Sequence, residues 1–290
     1  MSIIKLPFRF IRWIFRTLFG WLRNLGNDIR EFFAEEPEDA PLPDAFAKTI
    51  ENPFGVLEHL NALRKHLLRA VLFLMAMTAL SFAYIPQLLD FLAQPLDAGL
   101  QSLVAIEPTE PISTVMRVAL LSGFALSFPY IALEIWLFIG PGVSRRARFF
   151  GLLTIPIATL LFLAGMAFAY YIMLPPGLDF LLHVAGFQTQ LTPSSYIRFV
   201  TGVIFWIGLV FEYPLVIYIL ASLGFVQARA LGRQWRLAIV VIAVLAAMIT
   251  PTVDPVNMSL IMGPMIVLFF LSVGLAFIAQ RGRERRLAEA

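Results

Sequence analysis

Six apolar runs, separated by short polar connections, dominate the chain from residue 67 onward. Their length predicts helices that cross a bilayer at Leu67–Ile85, Thr114–Ile139, Phe149–Leu174, Tyr196–Leu223, Trp235–Thr250 and Met258–Ala279. The fifth run is short. Its uncharged part, Leu237–Thr250, gives about 21 Å of helix against a hydrocarbon core of about 30 Å. Pro251 stops it, so this helix must thin the bilayer, recruit its flanks or hide among neighbours. Pro129, Pro156, Pro214 and Pro264 fall inside or near the ends of other runs, and each can kink its helix. They read either as ordinary transmembrane proline usage or as the makers of a curved, concave wall.

A different pattern precedes the runs. Between residues 1 and 30, Lys5, Arg9, Arg12, Arg16, Arg23 and Arg30 fall within about 60° of arc at 100° per residue, and Phe, Trp, Ile and Leu fill the rest. A narrow basic stripe on a wide apolar face predicts a helix lying in the headgroups of anionic lipid, or one packed on other protein. Its interspersed arginines are unlike the unbroken apolar core of a signal peptide. Residues 31–53 are acidic and proline-bearing and read as a solvated linker. The chain therefore divides into an interfacial helix (1–30), a linker (31–53), a six-span domain (54–280) and a basic tail (281–290).

Composition strengthens the membrane assignment. The chain is 59% hydrophobic with a mean hydropathy of +0.81. Soluble domains are about half apolar. A net charge of +3 then reflects basic loops, not a nucleic-acid surface. With no cysteine, disulfides and thiolate metal sites are excluded. Charge also orients the spans. The connections 86–113, 175–195 and 251–257 hold no Lys or Arg, whereas Arg64, Lys65 and Arg69, Arg145, Arg146 and Arg148, Arg229, Arg233 and Arg236, and Arg281, Arg283, Arg285 and Arg286 lie on the other side. The positive-inside rule puts both termini in the cytoplasm.

Catalytic chemistry finds no footing. The histidines are His59, His66 and His183, none at mid-membrane, and no span contains paired Asp residues. No HExxH or P-loop pattern is present. The chain is expected to need no cofactor or metal and to be no enzyme. The acids within the spans are Glu134, near the cytoplasmic end of the second, and Glu212, in the middle of the fourth. A carboxyl there costs about 2.5–3.5 kcal/mol on insertion scales, so it must face protein or water. Glu212 reads either as a protonated acid bonded between helices or as a polar spot on a concave face that admits a partner helix or an inserted hairpin. A proton- or cation-coupled small-solute transporter is the alternative function, although no repeat relates the first three spans to the last three.

Several short segments, in order, resemble one family. "EHLNALRKHLL" (Glu58–Leu68) is similar to the entry motif H-L-x-E-L-R-x-R-L of TatC, the multispanning receptor of the twin-arginine protein translocase. "LAQPL" (Leu92–Leu96), "PTEPIS" (Pro108–Ser113), "IWLFIGPGV" (Ile135–Val143), "GMAFAYYIMLP" (Gly165–Pro175), "FEYP" (Phe211–Pro214) and "MITPTVDP" (Met248–Pro255) continue the resemblance over roughly residues 54–280. It implies an all-α fold of six kinked spans in a cupped wall, in a bacterial plasma membrane. It implies binding of twin-arginine signal peptides on folded cargo. It also implies assembly with single-span TatA- and TatB-like partners into an oligomeric complex driven by the proton-motive force. On this basis Glu58, Arg64, Arg148 and Phe138 fall to the signal-peptide face. Pro95, Glu110 and Asp254 fall to outer-face assembly, and Thr250, Met262 and Met265 to partner-helix docking. Each has a plainer reading: topology charge for Arg64, packing for Phe138 and Pro95, a solvated loop acid for Glu110, turn chemistry for Asp254.

Two departures stand out. The acids with which the family reads the arginine pair are Ala62 and Ala147 here, and the second arginine of the entry motif is His66. Glu58 could substitute from the same helical face. The acidic linker (Glu35, Glu36, Glu38, Asp39) could supply charge. Or the chain could be a paralogue that scaffolds the complex while a second TatC-like chain reads signals.

Overall fold

The computed structural model describes residues 53–96, 99–140, 145–183, 191–249 and 255–289. The expected interfacial helix and linker lie outside these residues, as do Thr250 and Asp254. Every regular element among the described residues is helical. They are α1 (Pro53–Ser81), α2 (Ile85–Ala93), α3 (Glu110–Ile139), α4 (Arg145–Phe168), α5 (Leu174–His183), α6 (Pro193–Phe211), α7 (Tyr213–Leu223), α8 (Ala228–Arg233), α9 (Trp235–Ile249) and α10 (Pro255–Glu289).

Among the described residues, five helical segments are long and apolar enough to cross a membrane: His59–Ala93, Glu110–Ile139, Gly151–Phe180, Pro193–Leu223 and Met258–Arg283. The sixth expected span is α9, of 15 residues, or about 22 Å. Many exposed side chains are large and apolar, among them Leu72, Leu160 and Met248. Such a surface suits contact with lipid, which is as apolar as the side chains themselves.

Proline placement separates continuous from interrupted spans. Pro129, Pro156 and Pro264 sit inside helices that run on past them. Pro214 instead falls in the first turn of α7, and the fourth span breaks into α6 and α7 at Glu212. Proline suits a first turn, where its missing N–H has no intrahelical partner to lose. Gly224 ends α7 in a left-handed conformation, φ 88°, which favours glycine.

Two expected connections hold helices. Segment 86–113 contains α2, begun by a proline in its first turn, and 175–195 contains most of α5, joined to α4 by a π-helical turn at Ala169–Met173. The last turn of α2 is held by residues distant in sequence. Tyr170 Oη donates to the Phe91 carbonyl at 2.5 Å and Tyr196 Oη to the Leu92 carbonyl at 2.7 Å. These satisfy carbonyls that a helix end leaves unpaired. Because Tyr196 is buried, Tyr196→Phe is expected to lower stability by about 1–3 kcal/mol. Thermal unfolding of the purified protein in detergent reads this, and an unchanged midpoint would show that the Leu92 carbonyl finds another donor.

The chain forms two compact units, one from residues up to Ala79 with Leu126–Pro156, the other from Leu80–Ala125 with Ile157 onward. In the second, Leu92, Val118, Leu174, Ile197 and Ile207 belong to one apolar core. Two glycines let α4 and α6 approach closely there. A Cβ on Gly165 would lie 2.9 Å from the Gly208 Cα, and one on Gly208 would lie 2.8 Å from the Phe162 ring.

Candidate functional site

The first unit brings together side chains from the arginine-bearing end of α1, α3 and α4. His66 Nδ1 lies 2.5 Å from Glu134 Oε2. Glu134 is 1% exposed and His66 18%, so this contact is a polar pair inside the unit. The other carboxyl oxygen, Oε1, is buried with no hydrogen-bond partner. The Phe138 ring, one turn beyond Glu134 on α3, lies 4.6 Å from the His59 ring and 6.2 Å from the His66 ring. On the same helix, Trp136 Nε1 donates to the Arg148 carbonyl at 3.2 Å. Gly151 leaves the space that the Trp136 ring occupies.

Of the residues expected at a signal-peptide face, Phe138 belongs to this cluster and Arg64 is exposed on α1. Glu58 lies on α1, with its side chain outside the described residues. Arg148 departs from expectation. It belongs to the first turns of α4 and is 1% exposed, so its charge is not offered to solvent as a loop arginine's would be. Ala62 is half-buried. The His66–Glu134 pair joins residues 68 apart. Each partner was visible singly in the sequence, as a motif histidine and a membrane acid, but no local pattern joins them.

The second unit contains the other candidate. Glu212 is the residue at which α6 ends and α7 begins, with φ −73° and ψ −19°. The break follows from Pro214, and it puts the one mid-span acid where the helix is interrupted. Glu212 Oε1 is buried and unpartnered, and the backbone of Phe162 approaches the carboxyl group. Beside it runs a groove of about 560 Å³ along α9. Trp206, Val241, Leu245, Met248 and Phe269 form much of its apolar wall, Gln234 marks its arginine-bearing end, and Glu212 is the one carboxyl group on its lining among the described residues.

Met265, expected at a docking surface, lines this groove. Met262 is half-buried against the core and is not on the lining. On the other side of the spans, Pro95 is half-buried in the turn after α2. Glu110 begins α3, and one of its carboxyl oxygens is buried without a partner. No group of three or more metal-ligating side chains is found among the described residues. Glu110, Glu134 and Glu212 thus each hold one buried carboxyl oxygen without a hydrogen-bond partner among the described residues, a feature suited to binding a donor group.

The family model for the Sec-independent protein translocase protein TatC matches residues 58–264. A TatC from Koribacter versatilis is 35% identical over 241 residues, which cover 81% of this chain and 89% of that protein. TatCd of Bacillus subtilis is 32% identical over 234 residues, 79% of this chain and 94% of its own length. Among solved structures, a crystal structure of the twin-arginine translocase receptor TatC superposes with a TM-score of 0.67 at 29% identity. It covers 76% of this chain and 99% of the crystallised one.

Proposed function

The chain belongs to the TatC family of Sec-independent protein translocase proteins, and we propose that it serves that translocase by binding at two places. The groove at Glu212 receives the transmembrane helix of a single-span partner of the TatA or TatB type. The arginine-bearing ends of α1 and α4, with the Ile139 end of α3, form the surface that meets twin-arginine signal peptides on folded cargo. As a multi-pass membrane component of protein-transport machinery, the chain moves other proteins and needs no bond-making step of its own.

One observation carries the first assignment: a buried, unpartnered carboxyl oxygen stands at a helix break beside an otherwise apolar groove. An apolar transmembrane helix fills such a groove by packing, and a polar side chain on it gives Glu212 its missing partner. Orientation follows from charge. Exposed Arg64, Arg229, Arg233 and Arg236 share the side assigned to the cytoplasm, with both termini there. Glu110 and Pro95 then face outward, as part of an assembly surface in a bacterial plasma membrane. Transport draws on the proton-motive force, and the stripe between Lys5 and Arg30 rests on anionic lipid. A coupled solute transporter would need a solute-sized polar site, whereas the groove is long and apolar.

The test is export of a folded reporter with a twin-arginine signal in cells whose other TatC-family proteins have been removed. Export, together with copurification of a single-span partner, is the expected result. Retention of the reporter despite normal membrane insertion would contradict signal reading by this chain and favour a scaffold beside a second TatC-like chain.

A further inference from the structure

Resting on the reading that this chain meets twin-arginine signals, we propose that Glu134, through its free Oε1, is the carboxyl group that receives a guanidinium of the incoming signal. At 100° per residue, His59, Ala62 and His66 fall within about 60° of one another on α1. His66 and His59 both meet residues of α3, so this is the face of α1 turned to α3. Arg64 lies about 140–160° around the helix from the two histidines. Ala62 is the small residue between them, one turn from His66. Opposite stand Glu134 and Phe138, four apart on α3 and therefore on one face. Two imidazoles on α1, with a phenyl ring and a carboxyl group against them on α3, thus share a face of α1 with the short side chain of Ala62.

The chemistry of the pair selects the ligand. His66 meets Glu134 through one ring nitrogen, Nδ1, and so occupies one carboxyl oxygen, Oε2. An arginine at position 66 could bind both oxygens with its two-pronged fork and leave nothing open. With histidine there, Oε1 remains a buried acceptor without a donor. A guanidinium brings several donors, a permanent positive charge and a flat face that packs on an aromatic ring, here Phe138. A lysine ammonium brings charge without the planar fork, so the site discriminates between the two cations. Glu134 is five residues, about 7.5 Å of helix rise, from the end of α3 at Ile139. The His59 ring, which is exposed, and the half-buried Phe138 are the groups that part to admit the ligand.

The experiment uses the full chain in lipid nanodiscs. The probes are a fluorescent synthetic peptide with consecutive arginines before an apolar segment, and the same peptide with two lysines. Wild type is expected to prefer the arginine peptide by about tenfold or more. Glu134→Gln keeps the shape of the side chain and a bond to His66, and is expected to erase that preference. His66→Arg supplies Glu134 with a stronger structural partner and is expected to erase it too, because the open oxygen is filled. Ala62→Glu in the Glu134→Gln chain should restore it. Preference retained in Glu134→Gln, or undiminished in His66→Arg, would overturn the assignment. Equal binding of both peptides by wild type would overturn it while leaving signal binding intact. No binding of either peptide by wild type would remove the signal-binding reading itself. Unchanged thermal unfolding of each variant separates these outcomes from misfolding.

Discussion

Glu212→Ala is expected to cut export of a folded twin-arginine reporter while leaving the chain as stable as wild type. The two halves of this result have separate causes. In the isolated chain Glu212 Oε1 is buried without a partner, and a buried polar group left unpaired opposes folding. Removing it costs the fold little and can add stability. On the docking proposed above, the same oxygen is paired in the assembled translocase by a polar side chain of the docked helix. Interhelical hydrogen bonds in membranes average about 0.6 kcal/mol and reach about 1.7, but here truncation also strands the partner's group, so about 1–2 kcal/mol is the expected loss. Docking then weakens roughly five- to thirtyfold. Export rates and partner copurification read the first half, and thermal unfolding in detergent the second. Wild-type export and copurification in this variant would remove Glu212 from any docking role. Reduced stability would make it a structural residue.

Gly151→Val is expected to have the largest effect on the first unit. A Cβ at residue 151 falls within the Trp136 ring. That ring is 7% exposed, so it has nowhere nearby to go. Expelling it forfeits most of the burial of a tryptophan, about 3–5 kcal/mol, together with its bond to the Arg148 carbonyl. A loss of this size is a large fraction of the 5–15 kcal/mol typical of native proteins. The variant should therefore accumulate poorly in membranes and, where purified, unfold at markedly lower temperature. Gly263→Ala is the control. A Cβ there meets nothing within 4 Å, and alanine is the better helix former, so no loss is expected. Equal accumulation of Gly151→Val and wild type would show that α3 and α4 can move apart at this point without cost.

The legibility of the fold follows the physics of each element. The apolar runs were readable because crossing a hydrocarbon core imposes a minimum length, and Pro251 made the short α9 visible as an exception. Pro214 likewise marked a disturbed fourth span, with Glu212 at its centre. The helices α2 and α5 were not readable. Each is about ten residues long and lies between spans, and α2 is held by hydroxyls of Tyr170 and Tyr196, which are far away in sequence. Arg148 looked like the third charge of a solvated arginine cluster, because composition does not say which side of a first helical turn faces inward. The pairing of His66 with Glu134 depends on the register between α1 and α3, which no local pattern encodes.

The account turns on whether a partner helix lies in the groove beside Glu212. Val240 and Val244 of α9 are 59% and 55% exposed, much like Val241 at 48% and Leu245 at 41%. Only Val241 and Leu245 line the groove. A photo-crosslinking amino acid placed singly at these four positions in the assembled translocase separates docking from simple exposure to the bilayer. Strong crosslinks to a single-span partner at positions 241 and 245, and weak ones at 240 and 244, are the predicted result. Equal crosslinking at all four, or crosslinks confined to 240 and 244, would contradict it.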